Sequence, residues 1–288
     1  MSGTRQIVQI LGTGAVGTFL SKELTSESND ISFFDSRPNS KKNYMHVFNF
    51  DEIQYQYPRK FDFCENADWN LVCTKSYDIN DELVAMLSNS NGKSVFIQNG
   101  RVAIERFNSL QENFILANFA SLDVQVSEST LYVRSCSPEI LVSSYGLDEE
   151  TLNNFRELFR STSIQVKFFQ DYNAVLLQKF PRWLLTNLLT ISSQESVGFA
   201  LKSMENKELA VLSDELARVL SGVFEVKIEL DSLLEQVASL PAELTTSSFR
   251  DYLSGNKCEF LLEMQQLLEN AHHIGISCPN LDNIVKRL

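Results

Sequence analysis

Three glycines with the spacing G-x-G-x-x-G follow a short apolar segment near the start of the chain. Residues 6–11 are rich in strand-forming side chains, and Gly12, Gly14 and Gly17 come directly after them. In a β-α-β unit the first glycine permits a tight turn, the second lets the backbone approach a pyrophosphate, and the third lets the helix pack close to the strand. A helical run follows at residues 18–24. The pattern predicts a dinucleotide-binding domain, and a glycine-rich turn without a ligand is the alternative. The predicted cofactor-binding loop comprises Gly12, Thr13, Gly14, Ala15, Val16 and Gly17.

The residues after the second predicted strand bear on the choice of nucleotide. That strand covers residues 31–34 and is followed by Asp35. An acidic side chain at this point binds a ribose 2′-hydroxyl and repels a 2′-phosphate, which favours NADH. Arg37, with Lys41 and Lys42 nearby, would instead pair with that phosphate and favour NADPH. These residues alone leave both cofactors open.

Charge and composition narrow the possible functions. The formal charge of −12 over 288 residues argues against a nucleic acid or an anionic membrane as the natural partner. The five cysteines are widely spaced and contain no C-x-x-C pair, so neither a disulfide framework nor a zinc site is indicated. Three histidines make a Ser-His-Asp triad or a His-ligated metal site difficult to build, and we expect no metal. Short apolar runs and an N-terminus without signal-peptide features predict a cytoplasmic protein.

The first part of the chain alternates strand-like and helical segments, as a doubly wound parallel sheet requires. The clearest predicted strands cover residues 7–11, 31–34, 71–74, 94–98 and 114–117. Two later segments are expected to form an antiparallel addition, at residues 130–136 and 139–143. A helix at residues 152–160 and a strand at residues 164–168 then complete the predicted domain.

Helical periodicity dominates from Asp171, which is expected to cap the first helix of a second domain. The predicted helices there cover residues 173–190, 207–227, 230–239 and 258–273. We therefore predict an α/β fold with a Rossmann-type dinucleotide-binding domain at residues 1–168. An all-α substrate-binding domain is predicted at residues 169–288.

A lysine near the start of the second domain is a candidate proton donor. Lys179 lies in an apolar stretch that would desolvate its amine and ease proton donation. Asn187 follows a little over two helical turns later, so both side chains are expected on roughly the same helix face. Pro181 removes a helical hydrogen bond and implies a kink or a displaced helix start near the lysine. A lysine that reaches solvent along an apolar helix is the alternative.

Several separated motifs, in order, resemble those of ketopantoate reductases, also called 2-dehydropantoate 2-reductases. They are the glycine loop, Cys73-Thr-Lys75, Gln98-Asn99-Gly100, the helix from Lys179 to Asn187, Ser247-Ser248-Phe-Arg-Asp251 and Glu259. The resemblance covers nearly the whole chain. It implies NADPH-dependent reduction of a small 2-keto acid, ketopantoate to pantoate in pantothenate biosynthesis, with NADH still possible. The protein is expected to be a monomer or a homodimer.

The resemblance also implies roles for the residues of the second domain. Lys179 would be the general acid, and Glu259 would engage the substrate hydroxyl and help to position that lysine. Asn187, with Ser247 or Ser248, would bind the polar ends of the substrate. For Glu259 the alternative is a glutamate that only complements the dipole of its helix.

The resemblance also implies roles for two residues of the first domain. Asn99 would sit between nicotinamide and substrate, and Lys75 would line the cofactor side of the cleft. Each follows a predicted parallel strand, and the carboxyl ends of such strands are where an open α/β sheet binds its ligand. An exposed loop lysine and a simple Asn-Gly turn are the alternatives.

The chain departs from the family pattern at Trp183. The family places an asparagine one turn after the lysine, and a tryptophan cannot supply the same amide hydrogen bonds. Two other hypotheses therefore stay open. One is a related 2-hydroxyacid dehydrogenase with a different substrate, and the other is a non-catalytic NAD(P)-binding regulatory protein.

Overall fold

The computed structural model describes residues 5–25, 29–34, 44–48, 51–55, 62–101, 114–127, 130–134, 137–203 and 206–288. The chain divides into two compact units, Met1–Leu176 and Leu177–Leu288. The first unit is α/β with a mostly parallel main sheet, and the second consists of helices. The predicted fold class is confirmed. The predicted boundary at residues 168–171 precedes this division by one short helix, Tyr172–Leu177.

Strands of the first unit form two sheets. In chain order they are β1 (Gln6–Leu11), β2 (Asn29–Phe34), β3 (Tyr44–Phe48), β4 (Asp51–Tyr55), β5 (Trp69–Val72), β6 (Lys93–Ile97), β7 (Phe114–Phe119), β8 (Val124–Ser127), β9 (Thr130–Val133), β10 (Glu139–Ser143) and β11 (Gln165–Phe169). The main sheet has the order β11-β10-β7-β6-β5-β1-β2, and the smaller sheet has the order β4-β3-β9-β8. Pairing is parallel from β2 through β1, β5 and β6 to β7. Because β1 lies between β2 and β5, the strand order reverses beside it, which is where open α/β sheets bind ligands.

The predicted antiparallel addition is confirmed only in part. Both segments pair antiparallel to a neighbouring strand, but they belong to different sheets. In the smaller sheet β9 pairs with β3 and β8, whereas β10 pairs antiparallel to β7 and parallel to β11 in the main sheet. Alternation of side chains identifies a strand but does not select its partner, which depends on contacts between residues distant in sequence.

The core of the first unit explains why its central strands are so apolar. Residues 8–11 of β1 are completely buried, as expected for a strand covered on both faces. Trp69 at the start of β5 is buried, and its ring lies 5.4 Å from that of Phe155 in an edge-on contact. This packing fixes the positions of the central strands and of the sheet edge where their carboxyl ends lie.

The predicted helices are present with somewhat different bounds, and the structure describes four more helices that were not predicted. In chain order they are α1 (Ala15–Leu24), α2 (Asp81–Ser88), α3 (Glu149–Leu158), α4 (Tyr172–Leu177), α5 (Phe180–Ser193), α6 (Val197–Ser203), α7 (Asn206–Phe224), α8 (Leu230–Ala238), α9 (Ser247–Leu253), α10 (Glu259–His273) and α11 (Pro279–Arg287). The helix predicted at residues 152–160 begins earlier, because Asp148 caps it by accepting a 2.8 Å hydrogen bond from the Thr151 amide. None of the helices that the structure describes is long and apolar enough to cross a bilayer.

The single helix predicted at residues 173–190 is two helices. Asp171 caps α4, as predicted, and accepts a 2.8 Å hydrogen bond from the amide of Ala174. The break comes at Gln178 and Lys179, directly before α5. Pro181 lies in the first turn of α5, where its missing N–H and fixed φ are tolerated. The displaced helix start predicted from Pro181 is therefore present.

Candidate active site

Two glycines of the loop after β1 serve the fold itself. Gly12 has φ +105°, a left-handed conformation, and a Cβ there would lie 2.9 Å from the backbone nitrogen of Thr74. A Cβ on Gly17 would lie 2.0 Å from the carbonyl oxygen of Gly12. The tight turn and the close helix–strand contact expected of the first and third glycines are both present.

Gly14 differs from both, because its surroundings are open. A Cβ at this position would meet no protein atom within 4 Å, and Gly14 is exposed. The residue is the N-cap of α1, whose first turn carries no acidic side chain and no side-chain cap. The positive end of the helix dipole is thus accessible beside a residue without a side chain. This combination fits the pyrophosphate of a dinucleotide.

The other predicted loop residues offer mainly backbone. Thr13 is buried, and Ala15 and Val16 pack against the core of the first unit. Asp35 and Arg37, which bear on the choice between NADPH and NADH, lie outside the described residues, as do Lys41 and Lys42.

Lys75 and Asn99 lie at the same edge of the sheet as the glycine loop. Lys75 follows β5 and precedes a single 3-10 turn, Asn99 follows β6, and both side chains are partly buried. Because β1, β5 and β6 are parallel neighbours, their carboxyl ends meet. Two hydrogen bonds tie these ends together, from the Cys73 amide to the Leu11 carbonyl at 2.8 Å and from Gln98 Nε2 to the Val72 carbonyl at 3.2 Å.

Lys179 is the N-cap of α5, with φ −138° and ψ −37°. The prediction that it shares one face of a continuous helix with Asn187 is wrong, because the helix begins only after it. The side chain is partly buried, and burial together with the nearby charge of Arg182 lowers the pKa of Lys179 to about 8. The Glu259 carboxylate acts in the opposite direction and raises that pKa. An amine in this environment exchanges its proton near neutral pH.

Glu259 begins α10, as the sequence predicts, and is only 1% exposed. A glutamate that merely complemented the helix dipole would remain in solvent, because burying a carboxylate is costly without a partner. Its electrostatic effect on Lys179 identifies one such partner. The two charges are therefore near enough to influence each other although the residues are 80 positions apart in sequence, and we refer to Lys179 and Glu259 below as the charged pair.

Asn187 is completely buried, and both ends of its amide are engaged. Its Nδ2 donates a 2.7 Å hydrogen bond to the Trp183 carbonyl, and its Oδ1 accepts a 2.5 Å hydrogen bond from Thr246 Oγ1. Thr246 also caps α9, since its hydroxyl accepts a 3.0 Å hydrogen bond from the Phe249 amide. Asn187 thus fixes the start of α9. Sequence reasoning missed Thr246, although a threonine directly before a helical segment is a recognised N-cap signal.

The two serines at the start of α9 differ from each other. Ser247 is exposed, whereas Ser248 is fully buried and its hydroxyl has no hydrogen-bond partner among the described residues. Ser248 also links α9 to α10, because its carbonyl oxygen accepts a 3.4 Å hydrogen bond from the Cys258 thiol, directly before Glu259. An unpaired buried hydroxyl is uncommon in proteins, and such a group is usually completed by an ordered water molecule or a ligand.

Trp183 belongs to an aromatic cluster beside the charged pair. It is 8% exposed, stacks on Phe180 with centroids 5.8 Å apart, and meets the Phe260 ring edge-on at 6.2 Å. Phe180 follows Lys179 and Phe260 follows Glu259, so each member of the cluster is next to a site residue or one turn from it. The tryptophan therefore packs the helices that present Lys179 and Glu259.

The N-terminal part of the chain matches a known family model. Residues 8–133, less than half of the chain, match the model described as Ketopantoate reductase PanE/ApbA. The match confirms the predicted resemblance over these residues. Ketopantoate reductases are NAD(P)-dependent oxidoreductases that act on CH–OH groups, and the predicted resemblance, enzyme class and cofactor class agree with this family. No curated protein matches the chain.

Solved structures show the same fold at low sequence identity. A D-mandelate dehydrogenase with NADH and anilino(oxo)acetate is 14% identical, with a TM-score of 0.79 and coverage of 98% of this chain and 96% of that one. A probable 2-dehydropantoate 2-reductase from Bacillus subtilis is 16% identical, with a TM-score of 0.76 and 98% of each chain covered. A dimeric ketopantoate reductase from Staphylococcus aureus is 16% identical, with a TM-score of 0.77 and coverage of 97% and 96%.

Proposed function

We propose that the protein is an NADPH-dependent reductase of a small 2-keto acid, with NADH as the alternative cofactor. The observation that carries the proposal is the pairing of Lys179, whose pKa is lowered to about 8, with the buried carboxylate of Glu259. The open space at Gly14, at the N-terminus of α1, supports a dinucleotide as the cofactor. The proposed division of labour is a dinucleotide-binding domain at residues 1–168 and a substrate-binding domain at residues 169–288.

When bound, NADPH supplies the hydride that reduces the keto carbon. Lys179 in its ammonium form donates a proton to the carbonyl oxygen, so that the product is a 2-hydroxy acid and the lysine is left as a neutral amine. A pKa of about 8 suits this role, since the amine is still largely protonated at neutral pH but gives up its proton more readily than an exposed lysine. Solvent then restores the proton for the next turnover.

The remaining residues hold the reactants. Glu259 keeps the ammonium of Lys179 in place and accepts a hydrogen bond from the substrate hydroxyl. Ser248, whose hydroxyl lacks a partner among the described residues, and the exposed Ser247 bind the polar ends of the substrate. Asn187 is proposed to act mainly through Thr246, because its amide is already engaged. The predicted direct contact of Asn187 with substrate would have to use the second N–H of its Nδ2 or the second lone pair of its Oδ1.

On the cofactor side, Lys75 and Asn99 are proposed to line the nicotinamide end of the site. Both follow strands whose carboxyl ends adjoin the glycine loop. Lys75 supplies positive charge near two anionic molecules in a protein with a formal charge of −12. Arg37 is proposed to bind the 2′-phosphate of NADPH, and Asp35 would instead favour NADH.

A second candidate function is a 2-hydroxyacid dehydrogenase for an aromatic substrate. The observation that favours it is the cluster of Trp183, Phe180 and Phe260 beside the charged pair, because aromatic rings bind one another in preferred edge-on and offset arrangements. The similar structure of a D-mandelate dehydrogenase carries anilino(oxo)acetate, whose anilino group is aromatic. Both candidates use the same chemistry and differ in the group attached to the keto carbon.

Oxidation of NADPH and NADH with a panel of 2-keto acids tests both candidates. The panel contains ketopantoate, aliphatic keto acids and aryl keto acids, and a preference for ketopantoate or for aryl acids separates the two. Lys179→Ala should lower turnover by about 10²–10⁴-fold, whereas Lys202→Ala, which removes an exposed lysine of α6, is the matched control. Cofactor binding without reduction of any keto acid would leave only the non-catalytic regulatory hypothesis. Three properties stay predictions: a role in pantothenate biosynthesis, a cytoplasmic location, and a monomeric or homodimeric state.

A further inference from the structure

Three different metal-ligating side chains converge at the end of the second unit. His272 lies in the last turn of α10, Cys278 is the N-cap of α11, and Asp282 lies in the first turn of α11. Their ligand atoms all lie within 4.8 Å of one another. His272 Nε2 is 3.1 Å from Asp282 Oδ2 and 3.5 Å from Cys278 Sγ. None of these residues is part of the proposed active site.

The separations suit tetrahedral zinc. Zinc–nitrogen and zinc–sulfur bonds at a tetrahedral angle place the two ligand atoms about 3.6 Å apart, and nitrogen and oxygen ligands come about 3.4 Å apart. The observed distances of 3.5 Å and 3.1 Å differ from these by a few tenths of an ångström. The same imidazole nitrogen is close to both of the other ligand atoms, and all three atoms lie within 4.8 Å of one another.

The surroundings also favour a cation. The side chains of His272 and Asp282 are 48% and 24% exposed, so an ion can enter from solvent, while Cys278 is 1% exposed and lies beneath them. The carboxylates of Asp282 and Glu215 act on the Cys278 sulfur, as does the guanidinium of Arg218, so negative charge outweighs positive charge around the thiol. A divalent cation bound there would favour the thiolate.

Glu215 on α7 holds the start of α11 without competing for the site. Its carboxylate accepts hydrogen bonds from the backbone amides of Asn280 at 3.0 Å and Leu281 at 2.9 Å, and from Asn280 Nδ2 at 2.6 Å. The carboxylate is therefore occupied as a helix cap, and it anchors the residues between Cys278 and Asp282. Two of the three ligands thus project from a fixed first turn.

We propose that His272, Cys278 and Asp282 bind one Zn²⁺ ion and leave the fourth tetrahedral position to water. The neutral imidazole, the thiolate and the carboxylate together neutralise the charge of the ion. The ion would join the C-terminal end of α10 to the N-terminal end of α11 across the connection at residues 274–278. Its role is structural, because it would tie the last helix of the second unit to the helix that begins with Glu259.

Metal titration of the full chain tests this site. After dialysis against a chelator, the protein is titrated with Zn²⁺ in competition with a chromogenic chelator, and with Co²⁺ while the absorption spectrum is recorded. One ion should bind per chain, and Co²⁺ should give a thiolate charge-transfer band. Loss of one ligand in His272→Ala, Cys278→Ser or Asp282→Asn should weaken zinc by more than about 100-fold, the upper end of what loss of an outer-shell partner costs.

His273→Ala is the matched control, because this neighbouring histidine is equally exposed and is not one of the three. It should bind zinc as the wild type does. Asp282→Asn preserves the shape of a partly exposed side chain, so it keeps the test valid if Cys278→Ser fails to fold. Absence of stoichiometric zinc, a Co²⁺ complex without the thiolate band, or equal affinity in Asp282→Asn and His273→Ala would each overturn the proposal and leave a simple histidine–aspartate contact.

Discussion

At the scale of single residues, substitutions of Gly14 and Gly17 distinguish an effect on ligand binding from an effect on folding. Gly14→Val should cost about 0.5–2 kcal/mol of stability, the range of N-cap substitutions, and no more than that, because no protein atom lies within 4 Å of the added Cβ. It should nevertheless abolish NADPH binding, since the new side chain takes the space of the pyrophosphate. Calorimetric titration with NADPH and urea unfolding measure the two effects.

Gly17→Ala provides the contrast. Its Cβ would lie 2.0 Å from the Gly12 carbonyl oxygen, so the loop and α1 must shift, at a cost of about 3 kcal/mol. A Gly14→Val protein that is folded and binds NADPH normally would contradict the assignment of the loop.

Lys179 should set the pH dependence, and its sign differs between the two directions of the reaction. The pKa of Lys179 is lowered to about 8, so the ammonium is present below that pH and is lost above it. Reduction of a keto acid, which needs the ammonium, should therefore decline as the pH rises through about 8, as measured by kcat/KM. Oxidation of the hydroxy acid needs the neutral amine and should rise over the same interval.

Lys179→Ala should lower turnover by about 10²–10⁴-fold and remove this pH dependence, with unchanged affinity for the cofactor. The dissociation constant for NADPH is measured in the same buffers. A variant that keeps the wild-type pH profile would assign the titration to another group.

At the scale of secondary-structure elements, Thr246 joins α5 to α9. Thr246→Ala removes the cap of α9 and leaves the buried oxygen of Asn187 without its donor. The expected loss of stability is about 2–4 kcal/mol, the sum of one cap and one unsatisfied buried acceptor. Thr246→Ser keeps the hydroxyl and should restore most of the loss in urea unfolding. If serine and alanine behave alike, the hydroxyl does not hold the two helices together.

The aromatic contact between α5 and α10 gives a second prediction at this scale. Trp183→Asn would restore the family residue, but it also empties space beside Phe180 and Phe260 and buries an amide. We expect a loss of about 3–5 kcal/mol in urea unfolding, similar to other large-to-small core changes, and lower activity on every keto acid. Trp183→Phe should lose less on both counts. Increased turnover of ketopantoate by Trp183→Asn would instead mean that the tryptophan obstructs an inherited site.

Local signals in the sequence predict some of these elements better than others. Pro181 and Asp171 act within one turn of the chain, so the broken helix and its cap follow from local rules. The partners of β9 and β10 depend on residues far away in sequence, so the sequence did not reveal that the two strands belong to different sheets. For the same reason the approach of Glu259 to Lys179 came from family resemblance, and the cluster around His272 has no spacing that would have revealed it.

At the scale of the whole molecule, the division into two units predicts which part of the chain a bound cofactor stabilises. A ligand that binds only the folded state stabilises it by about 2.7 kcal/mol at 100 times its dissociation constant. NADPH at that concentration should raise the unfolding temperature of the first unit, Met1–Leu176, in differential scanning calorimetry. Gly14→Val should show no such rise. A rise in Gly14→Val equal to that in wild type would place the binding site elsewhere.

The two tryptophans of the chain fall one in each unit, Trp69 in the first and Trp183 in the second. Both indoles are buried against aromatic rings, Trp69 against Phe155 and Trp183 against Phe180, so the emission of each depends on its own surroundings. Trp183→Phe leaves a tryptophan only in the first unit, and Trp69→Phe leaves one only in the helical unit. Unlabelled protein therefore carries a separate optical reporter for each half of the molecule, and stopped-flow emission can time events in the two halves independently.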